Sequence, residues 1–183
     1  MRVIAGSAGG RPLKAPPDGL RPTMDRVRAA VFSSLADLVP EARVLDLFAG
    51  SGAMGIEALS RGALSGVFVD FNDRCVRCIR SNLRMAGVDA IVQTMDAYRF
   101  LDLHAVPDAF DLIFADPPYL KAPVDIDHEA RLLESASLAS TLAAGGLLVL
   151  ETADSSIPRE TPLWVPVRSK PYGGSRVTFW RKS

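Results

Sequence analysis

The sequence predicts an α/β protein built on a doubly wound, largely parallel sheet. From residue 43 onward, short apolar segments typical of strands alternate with helical segments, as expected for consecutive βαβ units. Near the C-terminus, two more strand-like segments flank Tyr172-Gly173-Gly174, which predicts an antiparallel hairpin. Of the 183 residues, 48% are hydrophobic, so the chain can bury a core and is not intrinsically disordered.

The first part of the chain differs from this alternating region. Residues 1–22 are rich in glycine, proline and arginine, so we expect a basic arm there and a single domain over residues 23–183. Thr23 can cap a first helix, and Pro40 ends it. The apolar positions of this helix recur at helical spacing, at Val27, Val31, Leu35 and Leu38.

Five strands and the helices between them follow. The strands are predicted at residues 43–48, 66–70, 90–94, 110–115 and 147–151. The helices are predicted at residues 54–61, 73–86, 97–103 and 128–144, with Gly87 ending the second and Gly145-Gly146 the fourth. Right-handed crossovers between parallel strands then place these helices on the sheet. The hairpin strands are predicted at residues 163–168 and 176–181.

Charge is distributed unevenly although the net charge is zero. Residues 1–30 carry six basic and two acidic groups, and residues 159–183 carry six basic groups and one acidic group. The remaining residues carry nine basic and eighteen acidic groups. Basic ends around an acidic centre favour a polyanionic partner. No apolar run is long enough to cross a bilayer, no signal peptide is recognisable, and two cysteines exclude a disulfide scaffold, so we expect a cytoplasmic protein.

A glycine-rich loop follows the first predicted strand. Gly50 and Gly52 allow a ligand to approach the backbone closely, and the helix beyond them offers free N–H groups. Asp70, at the end of the second strand, can bind the two hydroxyls of a ribose. Asp46 directs a carboxylate towards the loop, which would repel a pyrophosphate and attract the ammonium group of S-adenosylmethionine.

The same glycine spacing also matches the dinucleotide fingerprint, so an NAD-dependent oxidoreductase remains an alternative. At the end of the third strand, the Asp96 carboxylate can accept the amino group of an adenine. The backbone N–H of Ala97 can donate to a ring nitrogen of the same base.

The second motif, Asp116-Pro117-Pro118-Tyr119, directly follows the fourth strand. Two prolines remove N–H donors and stiffen the chain, which leaves a wall of oxygen acceptors beside an aromatic ring. Such acceptors can hold the two hydrogens of an aromatic amine and free its lone pair for attack, while Tyr119 stacks on the base. Because strands one and four meet where the strand order reverses, both motifs should face one crevice.

These motifs, together with Leu20–Arg28 and Lys170–Gly173, resemble a known family. They are similar to the bacterial 16S rRNA (guanine(966)-N2)-methyltransferases of the RsmD type, which are class I S-adenosylmethionine-dependent enzymes. The resemblance implies a doubly wound, seven-stranded, Rossmann-like methyltransferase sheet that ends in an antiparallel hairpin. It also implies S-adenosyl-L-methionine as the cofactor and a guanine of 16S rRNA in the 30S subunit as the substrate.

The resemblance further implies three sets of site residues. The cofactor would be held by Thr23, Asp46, Phe48, Gly50, Gly52, Asp70, Asp96 and Ala97. The catalytic set would be Asp116, Pro117 and Tyr119. The RNA would be contacted by Arg2, Arg11, Arg21, Arg26, Arg28, Lys170 and Tyr172. We expect a monomer that needs neither a metal nor a membrane.

Three alternatives stay open at this point. A DNA adenine-N6 methyltransferase uses a similar acceptor motif, although the small size of the chain argues against a separate DNA-recognition domain. The NAD-dependent oxidoreductase leaves the Asp-Pro-Pro-Tyr motif without a role. A non-catalytic RNA-binding module would retain RNA without methyl transfer. Cys75 and Cys78 lie within a helical stretch and lack further metal ligands, so no redox or zinc site is expected.

Overall fold

The computed structural model describes residues 1–15, 25–119, 126–155, 157–158 and 160–183. Arg21 and Thr23 therefore lie outside the described residues. The helices are α1 (Asp25–Leu35), α2 (Ala53–Ser60), α3 (Asp73–Ala86), α4 (Ala97–His104), α5 (His128–Leu133) and α6 (Ala136–Thr141). The strands are β1 (Arg43–Leu47), β2 (Ser65–Asp70), β3 (Ile91–Thr94), β4 (Phe110–Ala115), β5 (Leu142–Ala153), β6 (Trp164–Tyr172) and β7 (Ser175–Lys182).

The sheet formed by the described strands confirms the predicted fold. Its seven strands follow the order β3-β2-β1-β4-β5-β7-β6. Strands β1 to β5 pair in parallel, whereas β7 runs antiparallel between β5 and β6. The strand order reverses between β1 and β4, whose carboxyl ends lie side by side, with Leu47 opposite Ala115. This junction is where open α/β sheets bind their ligands.

Helices cover both faces of the sheet. On one face, α1, α2 and α3 pack against residues such as Val44 and Phe68. On the other face, α4, α5 and α6 pack against residues such as Leu45 and Val69. Successive strand residues point to opposite faces, so each strand contributes to both cores. No helix in the described ranges has the length and apolar character needed to span a membrane.

The prediction of one continuous helix over residues 128–144 is wrong. Two short helices, α5 and α6, occupy the first part, and the Ser135 side chain caps α6 by accepting the N–H of Leu138. The chain then enters β5 at Leu142, which pairs with Phe110. Gly145, at φ +79°, consequently lies within a strand that is irregular at this point. A serine that bonds to nearby backbone favours a helix start over a helix interior, and sheet pairing decides the rest.

The apolar stripe of α1 is confirmed for its first three positions and fails at the fourth. Val27, Val31 and Leu35 are buried, whereas Leu38 is 48% exposed. After Leu35 the chain tightens into a 3-10 turn, Ala36–Leu38. The tighter turn changes the direction of successive side chains, and Val39 takes the buried position instead.

The first fifteen residues are packed into the molecule. Val3, Ala8 and Leu13 are buried, and Arg2 pairs with Pro12 in an isolated antiparallel bridge. The segment is fixed to α2 and α3, whose side chains accept its backbone N–H groups. This part of the predicted arm therefore belongs to the core. The predicted boundary between residues 22 and 23 lies outside the described residues.

Candidate functional site

The two sequence motifs meet at one place. β1 and β4 are neighbours, and the glycine loop and the Asp-Pro-Pro-Tyr motif leave their adjacent carboxyl ends. Asp46 and Asp116 line the same small cavity, together with Glu151 from β5. Val27 and Val31 of α1 cover it from one face of the sheet. The predicted crevice is therefore present.

Backbone conformation explains the glycines of the loop. Gly50 and Gly52 have φ values of +55° and +75°, in the left-handed region that favours glycine. Gly55 lies in the first turn of α2, where an added Cβ would come within 2.4 Å of the Phe68 ring. Its missing side chain allows α2 to pack directly on β2. The helix N-terminus is thus held against the end of the sheet.

Asp46 lies behind the loop and is 4% exposed. Its Oδ2 accepts the backbone N–H of Gly55 at 2.9 Å. Burial raises the pKa of Asp46 to about 8, and the nearby charge of Asp70 adds to this, while the hydrogen bond from Gly55 opposes it. A cation in the loop would stabilise the ionised carboxylate.

Asp70 clamps the loop to the end of β2. Its Oδ2 accepts the N–H of Gly50 at 2.8 Å, and its Oδ1 accepts the N–H of Asn72 at 2.9 Å. Burial raises the pKa of this carboxyl, and the two backbone hydrogen bonds partly offset the rise. Asp70 thus holds the glycine turn in shape, a role that the sequence alone did not reveal.

Asp96 and Ala97 form the start of α4. The Oδ1 of Asp96 accepts the N–H groups of Tyr98 and Arg99, each at 3.0 Å, and so caps the helix. Asp96 is exposed at this edge, while Ala97 is buried. The pair stands at the end of β3, where the sequence placed it.

An aromatic cluster supports Phe48, the first residue of the loop. Phe48 has φ +55°, an uncommon value for a residue with a side chain. Its ring makes edge contacts with Tyr98 and His128, with centroids 6.0 and 5.5 Å away. The Tyr98 hydroxyl lies 2.7 Å from His128 Nδ1, and the Arg131 guanidinium lies over the Tyr98 ring at 3.6 Å. No local pattern indicated this cluster, because its members are far apart in the chain.

The Asp-Pro-Pro-Tyr motif is anchored to β5. Pro117 is buried and Asp116 half-buried, and the Tyr119 hydroxyl donates to Glu151 Oε1 at 3.1 Å. Burial and the carboxylates of Glu151 and Asp116 raise the pKa of Tyr119, so its hydroxyl keeps its proton. Sequence reasoning missed Glu151. The signal that could have found it was a carboxylate at the end of an apolar strand.

Phe71 is a second residue that sequence reasoning missed. It directly follows Asp70 at the carboxyl end of β2 and is 67% exposed. A large exposed aromatic beside a strand-end carboxylate is a candidate stacking surface for a base. Its position in the sequence, immediately after Asp70, could have identified it.

The predicted RNA-contacting residues differ in their exposure. Arg2, Arg26 and Lys170 are exposed, and Tyr172 is half-buried. Arg11 is exposed, but its guanidinium donates to the carbonyl of Ala86, at the end of α3, at 2.7 Å.

The expectation for Arg28 needs correction. Its side chain is fully buried and donates to the carbonyl of Arg2. Its guanidinium also pairs with Asp25 at 3.1 Å and with Glu57 at 3.6 Å. A fully enclosed guanidinium cannot reach an RNA phosphate, so Arg28 holds the first residues of the chain against α2.

Comparison with known proteins identifies the family. The family model described as "Conserved hypothetical protein 95" matches residues 1–181. The chain is 34% identical over 177 residues to ribosomal RNA small subunit methyltransferase D of Escherichia coli strain K12, covering 94% of this chain and 85% of that protein. The chain belongs to the RsmD methyltransferase family. Membership of a methyltransferase family excludes the alternative that the chain is an NAD-dependent oxidoreductase.

Solved structures agree with this assignment. A Thermus thermophilus protein is 33% identical, with 98% of each chain covered and a TM-score of 0.79. An RNA methyltransferase from Salinibacter ruber, solved with S-adenosyl-L-homocysteine, shares the fold at 21% identity and a TM-score of 0.62, covering 87% of this chain and 92% of that chain. As a member of the methyltransferase family, this chain uses S-adenosyl-L-methionine as its cofactor.

Proposed function

We propose that the chain methylates the exocyclic N2 amino group of a guanine in 16S rRNA of the 30S subunit. The supporting observation is the shared crevice, where Asp46, at the end of β1, lies with Asp116 and with Glu151, the hydrogen-bond partner of Tyr119. A relative named as a small-subunit rRNA methyltransferase supports the choice of RNA. The choice of guanine N2 rests on the family resemblance and on the chemistry of the acceptor wall.

The residues at the carboxyl edge fit S-adenosylmethionine. Asp46 is a buried carboxyl whose ionised form needs a cation, and the α-ammonium group would supply one. The glycine loop would hold the methionine part. We propose that Asp70 and Asp96 serve the ribose and the adenine, with Ala97 donating to the base and Phe71 stacking on it. The proposed role of Thr23 remains a prediction.

The chain's own groups position the amine. When bound, S-adenosylmethionine supplies an electrophilic methyl group on a sulfonium. The target guanine must leave its stack to enter the crevice. The Asp116 carboxylate and the Pro117 carbonyl would accept the two hydrogens of N2, so that its lone pair points at the methyl group. The Tyr119 ring, fixed by the hydrogen bond to Glu151, would hold the base in line. The N2 lone pair would form the new N–C bond as the bond between the methyl group and sulfur breaks, and S-adenosylhomocysteine would leave as a neutral thioether. The methylated nitrogen is then acidic and would give its extra proton to water or to the Asp116 carboxylate.

The experiment offers undermodified 30S subunits and, in a parallel reaction, unmethylated DNA as acceptors of a labelled methyl group, followed by nucleoside mapping. We expect label in N2-methylguanosine of 16S rRNA. Label confined to N6-methyladenine of DNA would refute the proposal, as would RNA binding with no transfer. A ribosomal substrate would also place the enzyme in the cytoplasm, where we propose that it acts as a monomer.

A further inference from the structure

Helix α3 presents a row of exposed arginines. Arg77, Arg80 and Arg84 are spaced i, i+3 and i+7, so they lie on one side of the helix, with Arg74 one turn before them. The opposite side is buried against the sheet and the first residues of the chain. With Asp73 as its one acidic residue, the helix carries a net charge of +3. We call Arg77, Arg80 and Arg84 the α3 stripe.

This concentration stands out in an otherwise acidic region. Residues 31–158 contain nine basic and eighteen acidic groups, and four of the nine basic groups lie on α3. Elsewhere in this region, Arg43 pairs with Asp111 and Arg61 pairs with Glu57. Within the described residues, the α3 arginines take part in none of the ion pairs closer than 4.0 Å. Their charges therefore face solvent without a carboxylate partner there.

A surface groove runs beside the α3 stripe. It has a volume of about 600 Å³ and is lined by Arg80, Arg84, the backbone turn at Gly87, and residues up to Val92. The Arg11 guanidinium lies beside Gly87, where an added Cβ would come within 2.5 Å of its Nη1. Asp89 also lines the groove and contributes the opposing charge. The two stripe arginines that line the groove outnumber it.

The α3 stripe begins near the carboxyl ends of the strands, where the cofactor is proposed to bind. α3 starts two residues after Phe71, so Arg77 lies about one turn from the helix end nearest the proposed adenine surface, and Arg84 lies about 10 Å further along the helix axis. A row of this length can contact several consecutive phosphates. Guanidinium groups suit phosphates because their planar fork donates two parallel hydrogen bonds.

We propose that the α3 stripe and its groove bind the phosphate backbone of the RNA strand that carries the target nucleotide. This inference rests on the proposed function and names a contact surface outside the basic ends that the charge distribution indicated. Recognition here would be independent of base sequence and sensitive to salt. The exposed arginines would orient the RNA, while the crevice selects the base.

The test compares two triple variants of equal charge. Arg77→Gln, Arg80→Gln and Arg84→Gln together remove the stripe's charge while keeping long polar side chains. The control combines Arg99→Gln, Arg168→Gln and Arg181→Gln, which are exposed arginines on α4, β6 and β7. Poly(U) binding is measured by fluorescence anisotropy at several salt concentrations, the KM for 30S subunits by methyl transfer, and folding by S-adenosylhomocysteine affinity.

We expect the stripe variant to bind poly(U) at least about tenfold more weakly and to lower the slope of log K against log salt by about 2, because each phosphate contact contributes about 0.7. Its KM for 30S subunits should rise by a similar factor, with unchanged S-adenosylhomocysteine affinity. The control should lose clearly less poly(U) affinity than the stripe variant, because its three arginines are not arranged in one row.

Two results would overturn the inference. One is a stripe variant whose poly(U) affinity and salt slope equal those of the wild type. This result is also expected if the α3 stripe binds an acidic protein instead of RNA. The other is an equal loss in the control variant. The proposed function fails separately: if the wild type does not methylate 30S subunits but the stripe variant alone loses poly(U) binding, the surface stands and the methylation target is wrong.

Discussion

Asp116 is the residue on which the proposed chemistry depends most. We expect Asp116→Ala to reduce methyl transfer by about a hundredfold or more, because it removes an acceptor aimed at the reacting amine. Cofactor affinity should change little, since the cofactor residues proposed here are on other loops. Single-turnover transfer and calorimetric titration with S-adenosylhomocysteine measure the two effects.

Asp102→Ala, an exposed carboxylate on α4, is the matched control for this substitution. It should leave both transfer and cofactor affinity unchanged. Loss of transfer and cofactor affinity together in Asp116→Ala would mean that Asp116 is structural.

Asp46 predicts a pH dependence of stability. Its pKa rises from 3.8 to about 8 on folding, so at neutral pH the folded protein keeps a proton that the unfolded chain has released. The stabilisation from this group is complete below pH 3.8 and is lost as pH rises to about 8. Asp46→Asn has no carboxyl group to ionise, so its stability should not fall in this way. The free energy of unfolding of the variant should therefore increase relative to that of the wild type as the pH rises from 3.8 to about 8.

Urea unfolding without cofactor at several pH values measures the Asp46 effect. A constant difference between Asp46→Asn and wild type would contradict it. S-adenosylhomocysteine should bind the variant more weakly, because the partner of the ammonium group is lost.

At the scale of elements, Glu57 connects the first residues of the chain to α2. It is fully buried and accepts the N–H groups of Ile4 and Ala5 and the Nε–H of Arg61, with Arg28 close by. We expect Glu57→Ala to destabilise the protein by about 3–5 kcal/mol, because the buried Arg28 would lose a charge partner.

Urea unfolding measures this change, with Glu160→Ala, an exposed glutamate, as a control that should have little effect. Amide hydrogen exchange at Ile4 and Ala5 should accelerate selectively in Glu57→Ala. Unchanged exchange at these two amides would show that Glu57 does not hold the segment.

The contact between α4, α5 and the glycine loop yields another prediction. Tyr98→Phe removes the hydroxyl that bonds to His128, and with it support for the strained Phe48. We expect cofactor affinity to fall by about 1 kcal/mol, the usual contribution of one hydrogen bond. Calorimetric titration with S-adenosylhomocysteine measures it. Lower stability with unchanged cofactor affinity would restrict the cluster to a structural role.

At the scale of the whole molecule, the proposed RNA contacts and the cofactor site should respond differently to salt. The KM for 30S subunits should rise steeply with salt, because phosphate contacts release counterions. Affinity for S-adenosylhomocysteine should change little, since Asp46 is enclosed. Methyl-transfer kinetics and calorimetry over the same salt series check this. Parallel changes in both quantities would contradict an extended phosphate interface.

Local sequence patterns predicted most elements of the fold. Alternating apolar segments identified the strands, and Gly87 marked the end of α3, where it adopts φ +65°. The failure came at residues 128–144, where helical spacing continued through Leu142. Pairing of Leu142 with Phe110 is a contact between distant residues, which no local pattern contains.

The candidate site was predicted unevenly for the same reason. Asp46, Asp70, Asp96 and Asp116 were found because each stands at a strand end, and strand ends converge in a parallel sheet. Phe71 and Glu151 also stand at such ends but were missed. Arg28 was assigned to RNA on its charge, although packing encloses it between α1 and α2.

The sequence by itself determined the parallel sheet, the glycine loop and the acceptor motif, because these follow from short-range periodicity and from what glycine and proline allow. Tertiary structure alone decided which charges face solvent. The arginines of α3 and Arg28 have the same chemistry, yet three-dimensional packing exposes the former and buries the latter. Solvent exposure depends on contacts between distant residues, so it becomes known only when the chain is folded.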